Sequence, residues 1–358
     1  MSSFHGWLLV IVGLILSGRA GIDAGQPNVP ASLPKQPKNL DLAPSPELPG
    51  INHGAHCTAD FLPGGKSLIS FPCYGTKEIR IWDLKTETLA RVLPLTDMQF
   101  EPFILSPDGR WVVCRDLRER ELTILSVSTG KRSVGIKFTA QLYTFTPDSK
   151  TLIALTNEGV IHKANVTTGG KESEFKLARV KGPYDFFRLV DFPFSADGTI
   201  VASKLHGYSE PLRLWSTETG ELLQSLQANT TYPDLAFSRD GKRIATTGSD
   251  QQQIDLWDVK TGERIRTIKE PAGGNANWIT MFSFSPDGKT LVATGGKLAD
   301  LQPFRLYDIA TGKQIASPKS LDSGWLTSAV FSGDSKKLAG VQRSGAIRIW
   351  DLLAPQQK

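Results

Sequence analysis

Phe284-Ser-Pro-Asp-Gly-Lys289, followed by Phe304-Arg-Leu-Tyr-Asp308 and then Thr311-Gly312, is the stretch of this chain whose reading decides the fold. Proline before aspartate before glycine makes a tight turn: proline pre-sets φ, aspartate bonds the local backbone, and glycine accepts φ > 0. Apolar residues alternate on both sides, so the turn is the tip of a β-hairpin. The same tip recurs at Phe61-Leu-Pro-Gly-Gly-Lys66, Leu105-Ser-Pro-Asp-Gly-Arg110, Phe145-Thr-Pro-Asp-Ser-Lys150, Phe194-Ser-Ala-Asp-Gly-Thr199, Phe237-Ser-Arg-Asp-Gly-Lys242 and Phe331-Ser-Gly-Asp-Ser-Lys336. The Gly-or-Ser position falls at 65, 109, 149, 198, 241, 288 and 335, with gaps of 44, 40, 49, 43, 47 and 47 residues. A fixed period of this size marks a repeat architecture.

Beyond each tip lies another alternating strand: Ile79-Arg-Ile-Trp-Asp83, Leu122-Thr-Ile-Leu-Ser126, Val160-Ile-His-Lys-Ala164, Leu212-Arg-Leu-Trp-Ser216, Ile254-Asp-Leu-Trp-Asp258, Phe304-Arg-Leu-Tyr-Asp308 and Ile347-Arg-Ile-Trp-Asp351. Five of the seven run into Thr-Gly, at Thr129, Thr168, Thr219, Thr261 and Thr311, which supplies the next turn. Each unit is thus an antiparallel sheet of about four strands, and seven of them arranged radially close a ring. The expected fold is all-β, a seven-bladed β-propeller of four-stranded antiparallel blades.

From about residue 50 to 353 the pattern resembles the WD-repeat (Gβ-type) β-propeller family, most specifically in the Trp-Asp pairs at 82/83, 257/258 and 350/351. It departs from that family where the opening Gly-His is missing and where Leu125, Lys163 and Tyr307 stand in place of tryptophan. The family's buried His–Ser/Thr–Asp–Trp network is therefore eroded, with Thr247, Asp250 and Trp257 of the fifth blade closest to keeping part of it. The resemblance also implies a ring closed by an N-terminal strand, which supplies the outer strand of the last blade. Here it is expected between about Leu40 and Ile51, short and irregular because of the local prolines.

An uncharged apolar run, Trp7 to Leu16, opens the chain. Ten residues are too few for a membrane span, which needs about 20, but they match the core of a secretory signal, with cleavage expected after Ala20 or Ala24. No Lys or Arg precedes the run, so an uncleaved anchor stays an alternative. Pro27, Pro30, Pro34, Pro37, Pro44, Pro46 and Pro49 then preclude helix or a central strand and make a semi-extended spacer. The expected organisation is a leader at 1–24, a linker at 25–50 that includes part of the closing strand, a propeller at 51–353 and a tail at 354–358. Location is expected to be exported, periplasmic or secreted, with no membrane span in the mature chain.

The 358 residues carry 41 basic and 36 acidic groups, a net charge of +5 with no basic block, which gives nucleic-acid binding no support. Of the three cysteines, Cys57 and Cys73 flank one predicted hairpin, where oxidation or free thiols are both open readings, and Cys114 stands apart. Asn165-Val-Thr167 and Asn229-Thr-Thr231 fit the glycosylation triplet. Nucleophile-elbow, HExxH and Walker-type patterns do not occur. His53, His56, His162 and His206 have no paired spacing, so neither metal nor cofactor is expected.

Tight turns occupy one face of such a ring, and the variable connections on the opposite face are where binding is expected. These connections carry Arg115, Arg118, Arg120, Tyr184, Phe186, Tyr232, Trp278 and Trp325, aromatic and arginine side chains of the kind that dominate interface energetics. The expected function is non-catalytic recognition or scaffolding of a protein or peptide partner by a monomer. The competing readings are an enzyme resembling the lactonase or quinoprotein propellers, which would need charged groups converging on the channel, and a periplasmic propeller that assists envelope machinery.

Overall fold

The computed structural model describes residues 40–42, 56–72, 78–95, 100–116, 121–137, 140, 142–156, 158–177, 194–203, 211–228, 234–248, 253–269, 279–295, 304–318, 326–342 and 346–352. They form seven sheets. Sheet one runs through His56–Phe61, Ser67–Pro72, Glu78–Asp83 and Thr88–Pro94 from inner to outer strand. Sheet two repeats this with Phe100–Leu105, Trp111–Asp116, Glu121–Ser126 and Arg132–Ile136. Sheet three has Leu142–Phe145, Thr151–Leu155, Val160–Asn165 and Lys171–Lys176.

In sheet four, Ile200–Ser203, Leu212–Ser216 and Leu222–Leu226 are strands, and Phe194 holds the inner place through a bridge to Val201. Sheet five has Leu235–Phe237, Arg243–Thr247, Gln253–Asp258 and Arg264–Lys269. Sheet six has Ile279–Phe284, Thr290–Gly295, Phe304–Asp308 and Gln314–Pro318. Sheet seven has Leu326–Phe331, Lys337–Gln342 and Ile347–Asp351.

Seven apolar clusters join the sheets in cyclic order, because alternate side chains of each strand face opposite neighbours. Ile81 and Leu93 pack on Phe103 and Leu125 between sheets one and two, where Phe71 and Phe103 stack at 5.5 Å. Ile124 and Ile136 meet Tyr143 and Phe145 next, and Ile153 and Ile161 meet Trp215. Leu214 then meets Trp257, Leu256 meets Tyr307, and Leu306 meets Trp350. Finally Val341 and Ile347 of sheet seven pack on Phe61 and Trp82 of sheet one. The ring is therefore closed by side-chain packing.

The N-terminal strand is present, within the expected window, at Leu40–Leu42. It pairs in parallel with the outer strand of sheet six, Leu40 opposite Ala316, and not with sheet seven as the resemblance implied. Pro44, Pro46 and Pro49 remove the amide donors that a longer ladder would use.

The repeated turns are hydrogen-bond cassettes. In sheet five Ser238 Oγ donates to Asp240 Oδ1 at 2.7 Å and accepts from the Arg243 amide at 2.9 Å, while Asp240 accepts from the Lys242 amide. The same set is built at Ser106, Thr146, Ser195, Ser285 and Ser332. Ser149 and Ser335 take the glycine place at φ 60° and 61°. Their hydroxyls explain it: each accepts the amide of the preceding turn's aspartate, Asp108 and Asp287.

The Thr-Gly glycines serve a second purpose besides positive φ. Each lies against the outer strand of the preceding sheet, so a Cβ on Gly220 would stand 2.4 Å from the Lys176 carbonyl oxygen and one on Gly169 2.5 Å from Val134. Outer strands reach across the same seam: Arg91 donates to Ser128 O, Gln224 to Lys260 O, and Arg266 to Ala310 O and Thr311 O.

Two expectations about the tryptophan slot are corrected. Sheet three is offset by one residue: Leu152 pairs with Ala164 as Leu68 pairs with Trp82, so Ala164, not Lys163, replaces tryptophan. Asn165 then takes the aspartate place and accepts the Thr167 and Thr168 amides, as Asp83 accepts those of Lys85 and Thr86. Period 2 explains the outcome, because Ala164 is buried in a slot where a lysine ammonium would be stranded. In sheet five Trp257 Nε1 donates to Thr246 Oγ1 at 2.9 Å rather than to Thr247, and Asp250 lies outside the described residues. Equivalent bonds join Trp82 to Ser70 and Trp215 to Ser203. In the same place beside the non-tryptophan slots stand Cys114, Ala154 and Ala293. Trp350 faces Gly340 instead, and its buried Nε1 has no hydrogen-bond partner.

Candidate interaction face

Antiparallel alternation places both kinds of tight turn on one face and the connections between second and third strands, and between successive sheets, on the other. The turn face is regular, with the cassette at six of the seven hairpin tips and backbone bonds alone at the Leu62–Gly65 tip. The other face is uneven. Second and third strands are joined closely in sheets three, five and seven, where Thr156 pairs with Val160, Gly248 with Gln253 and Gln342 with Ala346. They are joined through 204–211 in sheet four and 296–303 in sheet six, and sheets three and four are joined through 178–193. The longest connections therefore gather on the arc from sheet three to sheet six.

Arg115 is placed by the end of the second strand of sheet two, on this uneven face, half-buried and opposite Leu122. Its Nε is buried without a hydrogen-bond partner. Arg118, Arg120, Tyr184, Phe186, Tyr232, Trp278 and Trp325 lie outside the described residues, within connections whose ends are on the same face. Cys73, His53 and His206 are likewise outside them. Cys114 is buried against Thr123 O, and burial, then the neighbouring Asp116 carboxylate, pushes its thiol pKa up, away from reactivity.

A polar layer beneath this face was not anticipated. The residue two before the tryptophan slot of each third strand is Arg80, Thr123, His162, Arg213, Asp255, Arg305 or Arg348. Arg80 forms a pair with Glu78 at 2.5 Å, and Asp255, 4% exposed, accepts from Thr267 Oγ1 and pairs with Arg264 at 3.4 Å. The Arg264 guanidinium in turn lies over the Trp257 ring. His162 approaches Glu174 at 3.3 Å, yet burial holds its pKa below the usual histidine value against the pull of that carboxylate. The signal was in the sequence, as Ile-Arg-Ile-Trp and Leu-Arg-Leu-Trp repeat a charge inside an apolar strand. Among the described residues, no three His, Cys, Asp or Glu side chains gather as a metal site would need, and no helix is long and apolar enough to cross a membrane.

Comparison with known proteins agrees with this geometry. Residues 220–258 match the family described as WD domain, G-beta repeat. The human WD repeat and SOCS box-containing protein 1 is 30% identical over 90 residues, 25% of this chain and 20% of that protein. The U3 small nucleolar RNA-associated protein 18 homolog of Arabidopsis thaliana is 37% identical over 70 residues, 20% of this chain and 12% of its own. Rat apoptotic protease-activating factor 1 is 27% identical over 228 residues, 52% of this chain and 18% of that protein. The chain thus spans a fifth or less of the length of these relatives.

Proposed function

The chain is a divergent WD-repeat β-propeller, and from that premise we propose that it is an exported, non-catalytic recognition module that holds a protein or peptide partner on its uneven face. The observation that carries this reading is the asymmetry of the ring. One face spends its polar groups on repeated turn cassettes, whereas the other bears connections of unequal length with Trp278, Trp325, Tyr184, Phe186, Tyr232 and the Arg115, Arg118 and Arg120 group. Variable connections on a rigid scaffold suit recognition, and aromatics with arginine suit interface centres. The relatives' names, one coupling WD repeats to a SOCS box and one associated with a small nucleolar RNA, are in keeping with assembly. The apolar run at Trp7–Leu16 supports export, with the Pro-rich stretch as a spacer.

The test is affinity capture from the native envelope or secreted fraction with wild type and a Trp278→Ala/Trp325→Ala variant of matched stability. A protein retained by wild type alone supports the reading and locates the face. Equal retention shows that the face is misassigned, and recovery of the chain in the cytosolic fraction with its first residues intact rejects export.

A further inference from the structure

We propose that two copies of this chain associate across a two-fold axis at the rim of the ring, the outer strand of sheet four in one copy meeting that of sheet five in the other. Among the described residues, the large apolar side chains left exposed are Leu222 and Leu223 on sheet four, Ile265 on sheet five, and Leu89 and Val92 on sheet one. The outer strands of sheets one to six all carry a bulge near their start, and the extra residue is Ala90, Ser133, Glu172, Leu223, Ile265 or Ile315 in turn. A bulge breaks the ladder and turns the edge away from strand addition, so what this rim offers a partner is side chains. Sheets one to three present a methyl, a hydroxyl and a carboxylate there. Sheets four and five present Leu223 at 47% and Ile265 at 51% exposure. Both stand near the turn-face ends of their strands, whereas the connections flanking these two sheets leave from the opposite ends.

The charges beside these apolar groups are complementary. From Ser216 to Gln227 the charged residues are Glu218 and Glu221, both exposed, and of the six outer strands taken with their turns this is the one without a basic residue. From Asp258 to Lys269 sheet five has four basic and two acidic groups. Asp258 is spent on the Lys260 and Thr261 amides, and Arg266 on the Ala310 and Thr311 carbonyls. Lys260, Arg264 and Lys269 remain exposed, with Glu263 as the one exposed acid among them. The acidic strip of either copy therefore suits the basic strip of the other, with the leucines set against Ile265.

Adjacency decides the symmetry. Because the two strips are neighbours in one ring, a single two-fold axis satisfies both contacts at once, and association closes at two copies instead of continuing as a filament. Sheet two is also basic, through Lys131, Arg132 and Lys137, but its bulge bears Ser133 and gives no apolar anchor. On sheet one Leu89 and Val92 flank Arg91, which faces no acidic strip in a neighbouring sheet. The two strips hold thirteen exposed residues, fewer than the roughly 20–30 a side of a tight interface, so a dissociation constant on the order of 10 µM is expected. The rim is separate from the uneven face, so this association stands or falls independently of the proposed recognition.

Sedimentation of the full chain from about 1 to 100 µM should show a monomer–dimer equilibrium. Leu223→Lys should weaken it about tenfold or more. Glu218→Lys/Glu221→Lys and Lys260→Glu/Lys269→Glu should each weaken it by a similar factor, because both contacts in the pair then carry like charges. An equimolar mixture of these two variants should dimerise again, since each contact in the mixed pair joins opposite charges. All five positions are exposed, so unchanged urea midpoints show that the fold is intact. Wild type that stays monomeric at about 100 µM overturns the proposal. So does a dimer indifferent to the substitutions, or a pair of variants that fail to rescue each other, because association would then run through another surface.

Discussion

Gly220 and Gly241 share a backbone conformation, at φ +74° and +67°, and differ in what surrounds them. An alanine Cβ at 241 would meet nothing within 4 Å, whereas at 220 it would stand 2.4 Å from the Lys176 carbonyl oxygen. Left-handed φ costs alanine about 1–2 kcal/mol, of which ~0.4–1 is returned by the stiffer unfolded chain, so Gly241→Ala should cost about 1 kcal/mol net. Gly220→Ala carries the same term plus overpacking of about 1–3 kcal/mol, because the obstacle is backbone of the ladder in sheet three and cannot rotate away. The expected total is about 2–4 kcal/mol. Urea unfolding of the two variants, read by tryptophan fluorescence, measures the difference directly. Equal midpoints would refute the claim that the Thr-Gly glycine is required by contact between sheets as well as by its own φ.

Thr246→Val should cost about 1–3 kcal/mol by stranding the Trp257 indole N–H, while Thr123→Val, which removes a buried hydroxyl without a hydrogen-bond partner, should be neutral or stabilising by up to about 1 kcal/mol; the same urea assay compares them. Gly340→Ser offers Trp350 an acceptor but brings a Cβ to 2.7 Å from Leu326 and 2.8 Å from Trp350, so a net loss of about 1–3 kcal/mol is expected in thermal unfolding. The turn aspartates set a pH dependence. The Thr146 hydroxyl and then the Lys150 amide lower the Asp148 pKa, the Thr261 amide lowers that of Asp258, and at Asp240 burial alone would raise it but the Ser238 hydroxyl and Lys242 amide together outweigh that. A carboxyl with a depressed folded pKa stabilises above its unfolded value near 4 and loses that contribution as pH falls through the folded one. Stability should therefore decline below about pH 4, and Asp148→Asn should flatten the decline in acid titrations followed by circular dichroism.

Seven hairpin tips and five Thr-Gly turns made the ring legible because each is local chemistry repeated at one period. Sheet three was misread by a residue because Val160 also alternates acceptably, and spacing alone cannot choose between Lys163 and Ala164. Burial can, since only the alanine suits a closed interior slot. Thr246 and Thr247 are adjacent polar residues of opposite parity, and only the pairing of Ile244 with Trp257 shows which one faces the indole. The partner of Leu40–Leu42 was beyond the local pattern altogether, as strand pairing across sheets depends on where the ring brings the edges. The candidate face was legible as a face, from turn topology. The mutual arrangement of Arg115, Trp278 and Trp325 was not, because connections of unequal length share no period to align them.

The cluster of Phe61, Trp82, Val341 and Ile347 is the one cluster among the seven that joins opposite ends of the repeat array. Six interfaces can form in turn as each repeat follows its neighbour off the ribosome or through a translocation pore. The seventh waits until almost the whole array has emerged. Its loop of roughly 290 residues costs only about 1.5 kcal/mol more closure entropy than a neighbouring loop of about 45, less than burial of a single large side chain returns. Closure is thus a late event rather than a difficult one. Until it happens, sheets one and seven expose their apolar sides, which makes the nearly complete open array, more than any earlier intermediate, the species that needs protection from aggregation.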